Sequence, residues 1–177
     1  YAEAMTPEGP VSLATGADPQ NPTRRRTKLD GAAATQTELA RLIPMLWLTP
    51  REDRLWAGPR ADRLRFFDRL VLAAAPDHAS SASAYEKSMK ERQRLLDRVA
   101  EGGRADPDWL NALEAEMAAS GVALAAARLD ALARLQDEID TRPESQFPKA
   151  DLALDGAVEA KLAEGLKSGE AEDWFAD

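Results

Sequence analysis

Residues Pro44 to Arg69, PMLWLTPREDRLWAGPRADRLRFFDR, decide how the chain is read. The run Met45-Leu46-Trp47-Leu48-Thr49 is apolar on both faces, as a covered central strand would be, and Pro50 ends it. Trp47 reads as core rather than as a stacking platform. A short charged segment, Arg51 to Trp56, follows, and Gly58-Pro59 breaks the chain. A helix comes next, with Phe66, Phe67, Leu70 and Val71 set among Arg60, Arg63, Arg65 and Arg69. Upstream, the sequence reads as strands and turns. Downstream, it reads almost entirely as long helices. The stretch therefore joins a sheet-bearing part to a helical part.

Working upstream, Val11 to Thr15 reads as a strand and Gly16 to Thr23, with Pro19 and Pro22, as a loop. Arg24 to Leu29 reads as a second strand, closed by the turn dipeptide Asp30-Gly31. Arg24, Arg25, Arg26 and Lys28 form the densest positive cluster in the chain. On a strand, Arg24, Arg26 and Lys28 point the same way. The cluster has two readings: a charged edge that discourages sheet-to-sheet pairing, or a phosphate contact. Thr37 to Ile43 reads as a short helix.

Working downstream, residues 60–75 form one helix, which Pro76 breaks. Residues 77–99 form a second, with a heptad-like seam of His78, Ala82, Tyr85, Met89, Arg92, Leu96 and Val99, ended by Gly102-Gly103. Asp106-Pro107 is a strong helix start, an acid at the N-cap and proline at the first position. This helix runs to about Thr141 and is about 50 Å long. Its stripe is Leu110, Leu113, Met117, Gly121, Leu124, Arg128, Leu132, Leu135 and Ile139, an 11-residue repeat that winds nearly straight. The 77–99 helix is its expected antiparallel neighbour. Arg92 and Arg128 sit inside these apolar seams, where a guanidinium is costly unless paired or at a solvent edge. They read as a structural ion pair or cap, or as partner-binding residues. Asp151 to Leu154 is a short strand at best, Ala157 to Leu166 a helix, and Ser168 to Asp177 an acidic end that frays.

Composition excludes several classes. The 177 residues include no cysteine and one histidine, so thiol chemistry and a Cys/His metal site are out. His78, after Asp77 at a helix start, reads as solvent-facing or capping. There is no G-x-x-x-x-G-K-[ST] phosphate loop, no carboxylate isolated in apolar surroundings, and no apolar run of about 20 residues to span a membrane. The start, YAEAMTPEGP, lacks the basic and apolar regions of a signal peptide. Net charge is −8; residues 137–177 alone hold 4 basic and 12 acidic residues, whereas residues 51–98 hold 11 and 8. A whole-molecule basic field for nucleic acid is excluded, but a local basic face is not.

LWLTPREDRLWAGPRADRLRFFDRLVL, AYEKSMKERQRLLD, DPDWLNALEAEMAASGVALAAAR and FPKADLAL together resemble the RecF recombination-mediator family of the SMC/ABC-type ATPase superfamily. The resemblance runs from about Arg24 to Leu154. It implies that the chain is a central piece of such a protein, with the ATP-binding motifs outside it. The implied fold is α+β and predominantly helical, a long antiparallel helical lobe inserted into part of an ABC-type sheet domain. Residues 1–58 would be a partial ATPase-lobe segment, 59–145 the helical lobe, and 146–177 a return segment. The family's Arg-Asn is Arg92-Gln93 here, the middle of its Arg run is Leu64, and no Gln occurs between Met45 and Ser83, so no nucleotide-sensing residue is assigned.

The implied function is DNA replication and repair, recombination and the SOS response, in the bacterial cytoplasm near the nucleoid. The complete protein would be a weak DNA-dependent ATPase that uses ATP and Mg, forms an ATP-dependent homodimer, holds DNA and meets mediator partners that load recombinase at single-strand gaps. This piece would be no enzyme by itself, have no membrane role and hold no cofactor. Its phosphate-contact candidates are Arg24, Arg25, Arg26, Arg60, Arg63, Arg65 and Arg69; in the alternative reading of the second set, Arg63 and Arg69 pair with Asp62, Asp68 or Glu52. Arg92 and Arg128 are the structural polar pair. The competing function is a helical protein-interaction module that binds no nucleic acid.

Overall fold

A computed structural model describes residues Tyr1 to Ala176. Four antiparallel strands form a meander in the order β1 (Ala2–Thr6), β2 (Gly9–Asp18), β3 (Asn21–Leu29) and β4 (Ala32–Ala34). The strands reach further than the composition suggested, because the expected loop at residues 16–23 is mostly ladder. Its two prolines are accommodated by geometry. Pro19 sits in the turn, and Pro22 falls where the register jumps, from Arg25 opposite Ala17 to Asn21 opposite Asp18. A proline there withholds no ladder donor. The turn is closed by the buried Asp18, whose carboxylate accepts from Gln20 N at 3.0 Å. At the other end, Asp30 adopts a left-handed φ of 48° ahead of Gly31 at 81°, the pairing expected of a tight Asp-Gly turn.

Helix α1 (Gln36–Leu42) starts on a capping box in which Thr35 and Glu38 exchange hydrogen bonds. Residues 44–49 then form no strand. Met45, Leu46, Trp47 and Leu48 are all at least half exposed, which corrects the expectation of a buried central strand. The physical reason is that a strand exists only beside another strand. Among the described residues none lies alongside, and Pro44 and Pro50 bracket the run without donors.

A 3₁₀ helix, Glu52–Ala57, leads into α2 (Arg60–Ala74). Helix α3 (His78–Ala100) and helix α4 (Pro107–Thr141) form the long antiparallel pair. Asp106 caps α4 through the Asp108 amide at 3.0 Å, with Pro107 at the first position. Along α3, the buried residues are His78 and Ser88, while Met89 and Val99 are 41% and 45% exposed, so the expected seam holds at its start and turns by about one residue further along. The core is carried by Val71 of α2 and by Ala118, Val122, Leu124 and Ala125 of α4.

Two further corrections concern the C-terminal part. Asp151 to Leu154 is not a strand, because side chains rather than a neighbouring ladder satisfy its backbone. Gln136 accepts from Leu152 N and donates to Ala150 O, and Arg60 donates to Asp155 O. After α5 (Ala157–Ala163), the acidic end forms α6 (Ser168–Ala176), which packs on α4 rather than fraying. Ala171 is fully buried and Phe175 meets Tyr85 edge-on at 6.4 Å. Gly121 makes the space: a Cβ there would stand 3.3 Å from the Tyr85 ring. Asp177 lies outside the described residues.

Candidate nucleic-acid interface and lobe junction

Helical period places Asp62, Arg65, Phe66 and Arg69 along one face of α2. Glu52, at the first turn of the 3₁₀ helix, reaches this face. One of its carboxylate oxygens accepts from Arg69 Nη2 at 2.6 Å. The other accepts from the amide and hydroxyl of Thr49. These bonds, that from Arg69 foremost, hold the Glu52 carboxyl down to about 2. The Arg69 guanidinium also lies 5.2 Å from the Trp47 ring and 5.3 Å from Phe66, within cation–π range. Its Nε is buried without an acceptor. One arginine thus fixes the extended segment, the 3₁₀ helix and α2 together.

The other α2 arginines differ in how much they keep free. Arg63 donates to Gly58 O at 2.8 Å, and Arg60 to the Asp155 carbonyl. Arg65 donates to Asp62 at 2.7 Å on the surface. Arg60, Arg63 and Arg69 therefore hold segments of this chain together. Of the partners weighed for Arg63 and Arg69, only Glu52 is used; Asp62 goes to Arg65 and Asp68 to Arg128.

On the sheet, Arg26 and Lys28 stand opposite Gly16 and Ala14 of β2, while Thr27 between them points to the other face and is buried. Arg26 Nε meets Asp18 at 2.8 Å but remains 58% exposed. Arg25 reaches Thr15 Oγ1 at 3.4 Å. Arg24 and Lys28 have no ion-pair partner among the described residues. The two sets of candidates thus separate: the sheet set is largely open to solvent, and most of the α2 set is spent internally.

Arg92 of α3 donates to Glu114 of α4 at 2.8 Å. Arg128 makes a two-pronged contact with Asp68 of α2, at 2.8 and 3.0 Å, and reaches Glu159 of α5 at 3.4 Å. His78 joins the same group. It is 5% exposed, with Nε2 3.1 Å from Asp68 Oδ1, which corrects the solvent-facing or capping expectation. The short Ala75–Asp77 link after α2 folds the start of α3 back over Asp68. Burial pushes the Asp68 carboxyl up, but the hydrogen bonds from His78 and Arg128 outweigh it and hold the carboxyl below its usual range. Burial opposes the charge on Arg128 as well, and Asp68 and Glu159 more than restore it. The group is a clamp joining α2, α3, α4 and α5, with its charges already paired.

Residue spacing alone missed Arg51 and Arg54. Both flank the cleft between the 3₁₀ helix and α2, and their i, i+3 spacing was the available signal. No group of three or more His, Asp or Glu among the described residues is placed to hold a metal ion. No described helix is long and apolar enough to cross a membrane.

The arrangement is a small antiparallel sheet joined through an arginine-rich link to a pair of long helices. Two solved structures of the recombination mediator protein RecF in the RecFOR pathway share it. The ATP form aligns with a TM-score of 0.67 at 14% identity, covering 96% of this chain and 46% of that one. The ATPrS form aligns at 0.66 and 16% identity, covering 78% and 36%. Sequence relatives carry the same name. The DNA replication and repair protein RecF of Caulobacter sp. (strain K31) is 44% identical over 164 residues, 92% of this chain and 42% of the relative. That of Rhizobium etli (strain CIAT 652) is 41% identical over 172 residues, 96% and 44%. That of Mesorhizobium japonicum is 42% identical over 166 residues, 92% and 43%. Over nearly its whole length the chain is similar to RecF proteins, and it spans less than half the length of these curated relatives. No protein-family model matches it.

Proposed function

We propose that this chain is the helical lobe and linking segment of a RecF-like DNA-repair protein of the bacterial cytoplasm. Residues 1–58 belong to the ATPase lobe, 59–145 to the helical lobe and 146–177 to the return segment. The observation that carries this reading is the sequence match to RecF proteins along nearly the whole chain. ATP and Mg²⁺ are assigned to the complete protein and not to residues of this chain, which contains no phosphate loop. The complete protein dimerises with ATP, holds DNA and helps mediator partners to load recombinase at gaps.

DNA contact by this chain is to phosphates. It runs through Arg24, Arg25 and Arg26 on the exposed β3, with Arg65 of α2, whose side chain is 76% exposed. Arg60, Arg63 and Arg69 act in holding the lobes together. Phosphate contacts position a protein without reading sequence and weaken with salt.

Arg24, Arg25 and Arg26 replaced together by Ala test this. Duplex DNA affinity should fall about tenfold or more at low salt, and the log–log salt slope should shrink by about 3. Unchanged affinity and slope would remove the sheet as a DNA site. Binding that ignores salt altogether would favour the protein-interaction module instead.

A further inference from the structure

The cleft between the 3₁₀ helix and α2 has a volume of about 540 Å³ and is lined by Arg51, Glu52, Arg54, Leu55, Gly58, Asp62, Arg65, Phe66 and Arg69. Two periodicities build it. The first 3₁₀ turn, which ends in a kink at Arg54 (φ −106°, ψ 19°), brings Arg51 and Arg54 to one edge. The α period brings Asp62, Arg65 and Arg69 to the facing wall. Leu55 and Phe66 give the cleft apolar lining, where polar contacts are stronger than in open water.

The charges in this cleft do not cancel. Four guanidiniums face two carboxylates, and both carboxylates are already engaged. Glu52 is taken up by Arg69 and Thr49, and Asp62 by Arg65. Arg51 and Arg54 have no ion-pair partner among the described residues. Arg65 spends Nε on Ala61 O and Nη2 on Asp62, leaving Nη1 to donate. Helix α2 begins here on Pro59 without a side-chain cap, which adds the partial positive charge of its first turn. Arg69 packs between Trp47 and Phe66 and anchors the wall.

We propose that this cleft is a second anion site, in which Arg51, Arg54 and Arg65 hold a phosphate group. The phosphate belongs to a nucleic-acid backbone or to a free polyphosphate, the shared chemistry being an oxyanion that accepts from several guanidinium N–H donors. The site is separate from the sheet arginines and stands or falls without them.

The test uses the Arg51→Ala/Arg54→Ala variant of this chain. Both side chains are exposed and unpaired, so thermal unfolding should match the wild type. Binding of labelled duplex DNA and of inorganic tripolyphosphate is measured at low salt. The double variant should bind about tenfold more weakly, with the DNA salt slope smaller by about 2. Arg51→Lys/Arg54→Lys, which keeps charge but loses the planar fork, should fall between. A loss confined to DNA identifies a nucleic-acid backbone; a loss shared by tripolyphosphate identifies a phosphate chain in general. The Arg24/Arg25/Arg26 triple Ala variant should leave tripolyphosphate binding unchanged, which separates this site from the sheet. If the wild type binds neither ligand, or the double variant binds both as the wild type does, the site does not exist.

Discussion

Two arginines in apolar seams illustrate how burial sets the worth of an ion pair. Arg92 and Glu114 keep 36% and 29% of their side chains exposed, whereas Arg128 keeps 16% and faces two carboxylates, one of which, Asp68, is also bonded to His78. Arg92→Ala should therefore cost under about 1 kcal/mol. Arg128→Ala, which strands Asp68 and Glu159 in the lobe, should cost about 3 kcal/mol, measured by urea unfolding. The clamp also sets an acid limit. Asp68 has a folded-state carboxyl below its unfolded value of about 4. Its contribution is present above pH 4 and is lost as pH falls through the folded value. Asp68→Asn should flatten the loss of stability below pH 4 while lowering stability at pH 7. An unchanged acid limb would contradict the clamp. Sequence spacing singled out both seam arginines. The heptad-like seam included His78, yet its place after Asp77 at a helix start suggested a solvent-facing or capping role; only the fold-back of α3 onto α2 brings it to Asp68.

At the scale of elements, helices were legible and the strands less so. The bounds of α4 follow from Asp106-Pro107 and from Pro143, since caps and proline act locally. Strand pairing is not local, so Pro19 and Pro22 suggested a loop where a turn and a register break absorb them. Residues 44–49 have a strand's composition but no neighbour among the described residues, and composition cannot supply one. The acidic label on residues 168–177 hid Ala171 and Phe175, which dock α6 where Gly121 leaves room. Gly121 thus serves packing. Gly121→Leu should destabilise the chain by about 2 kcal/mol through overpacking against Tyr85 and Phe175, despite the gain in helix propensity. A stabilised Gly121→Leu variant would show that α6 does not dock there.

At the scale of the molecule, the acidic balance belongs to the C-terminal third, while the cations collect on the sheet and at the junction. On the proposed reading, phosphate contact falls on the sheet and at the link, and the long helices serve structure. The family was legible because the junction and the start of α4 carry distinctive residues at both ends of the lobe. The division of labour among the arginines was not, since whether a guanidinium is spent internally depends on acceptors such as Gly58 O and Asp155 O that only the fold brings near. The most direct test is to titrate duplex DNA against the full-length RecF-type polypeptide containing this segment, with and without ATP and Mg²⁺. The RecF reading predicts that ATP tightens DNA binding by about tenfold, a coupling of ordinary allosteric size, and that the salt slope shrinks when Arg24 to Arg26 are replaced by Ala. DNA affinity indifferent to ATP, with a salt slope indifferent to these arginines, would contradict it.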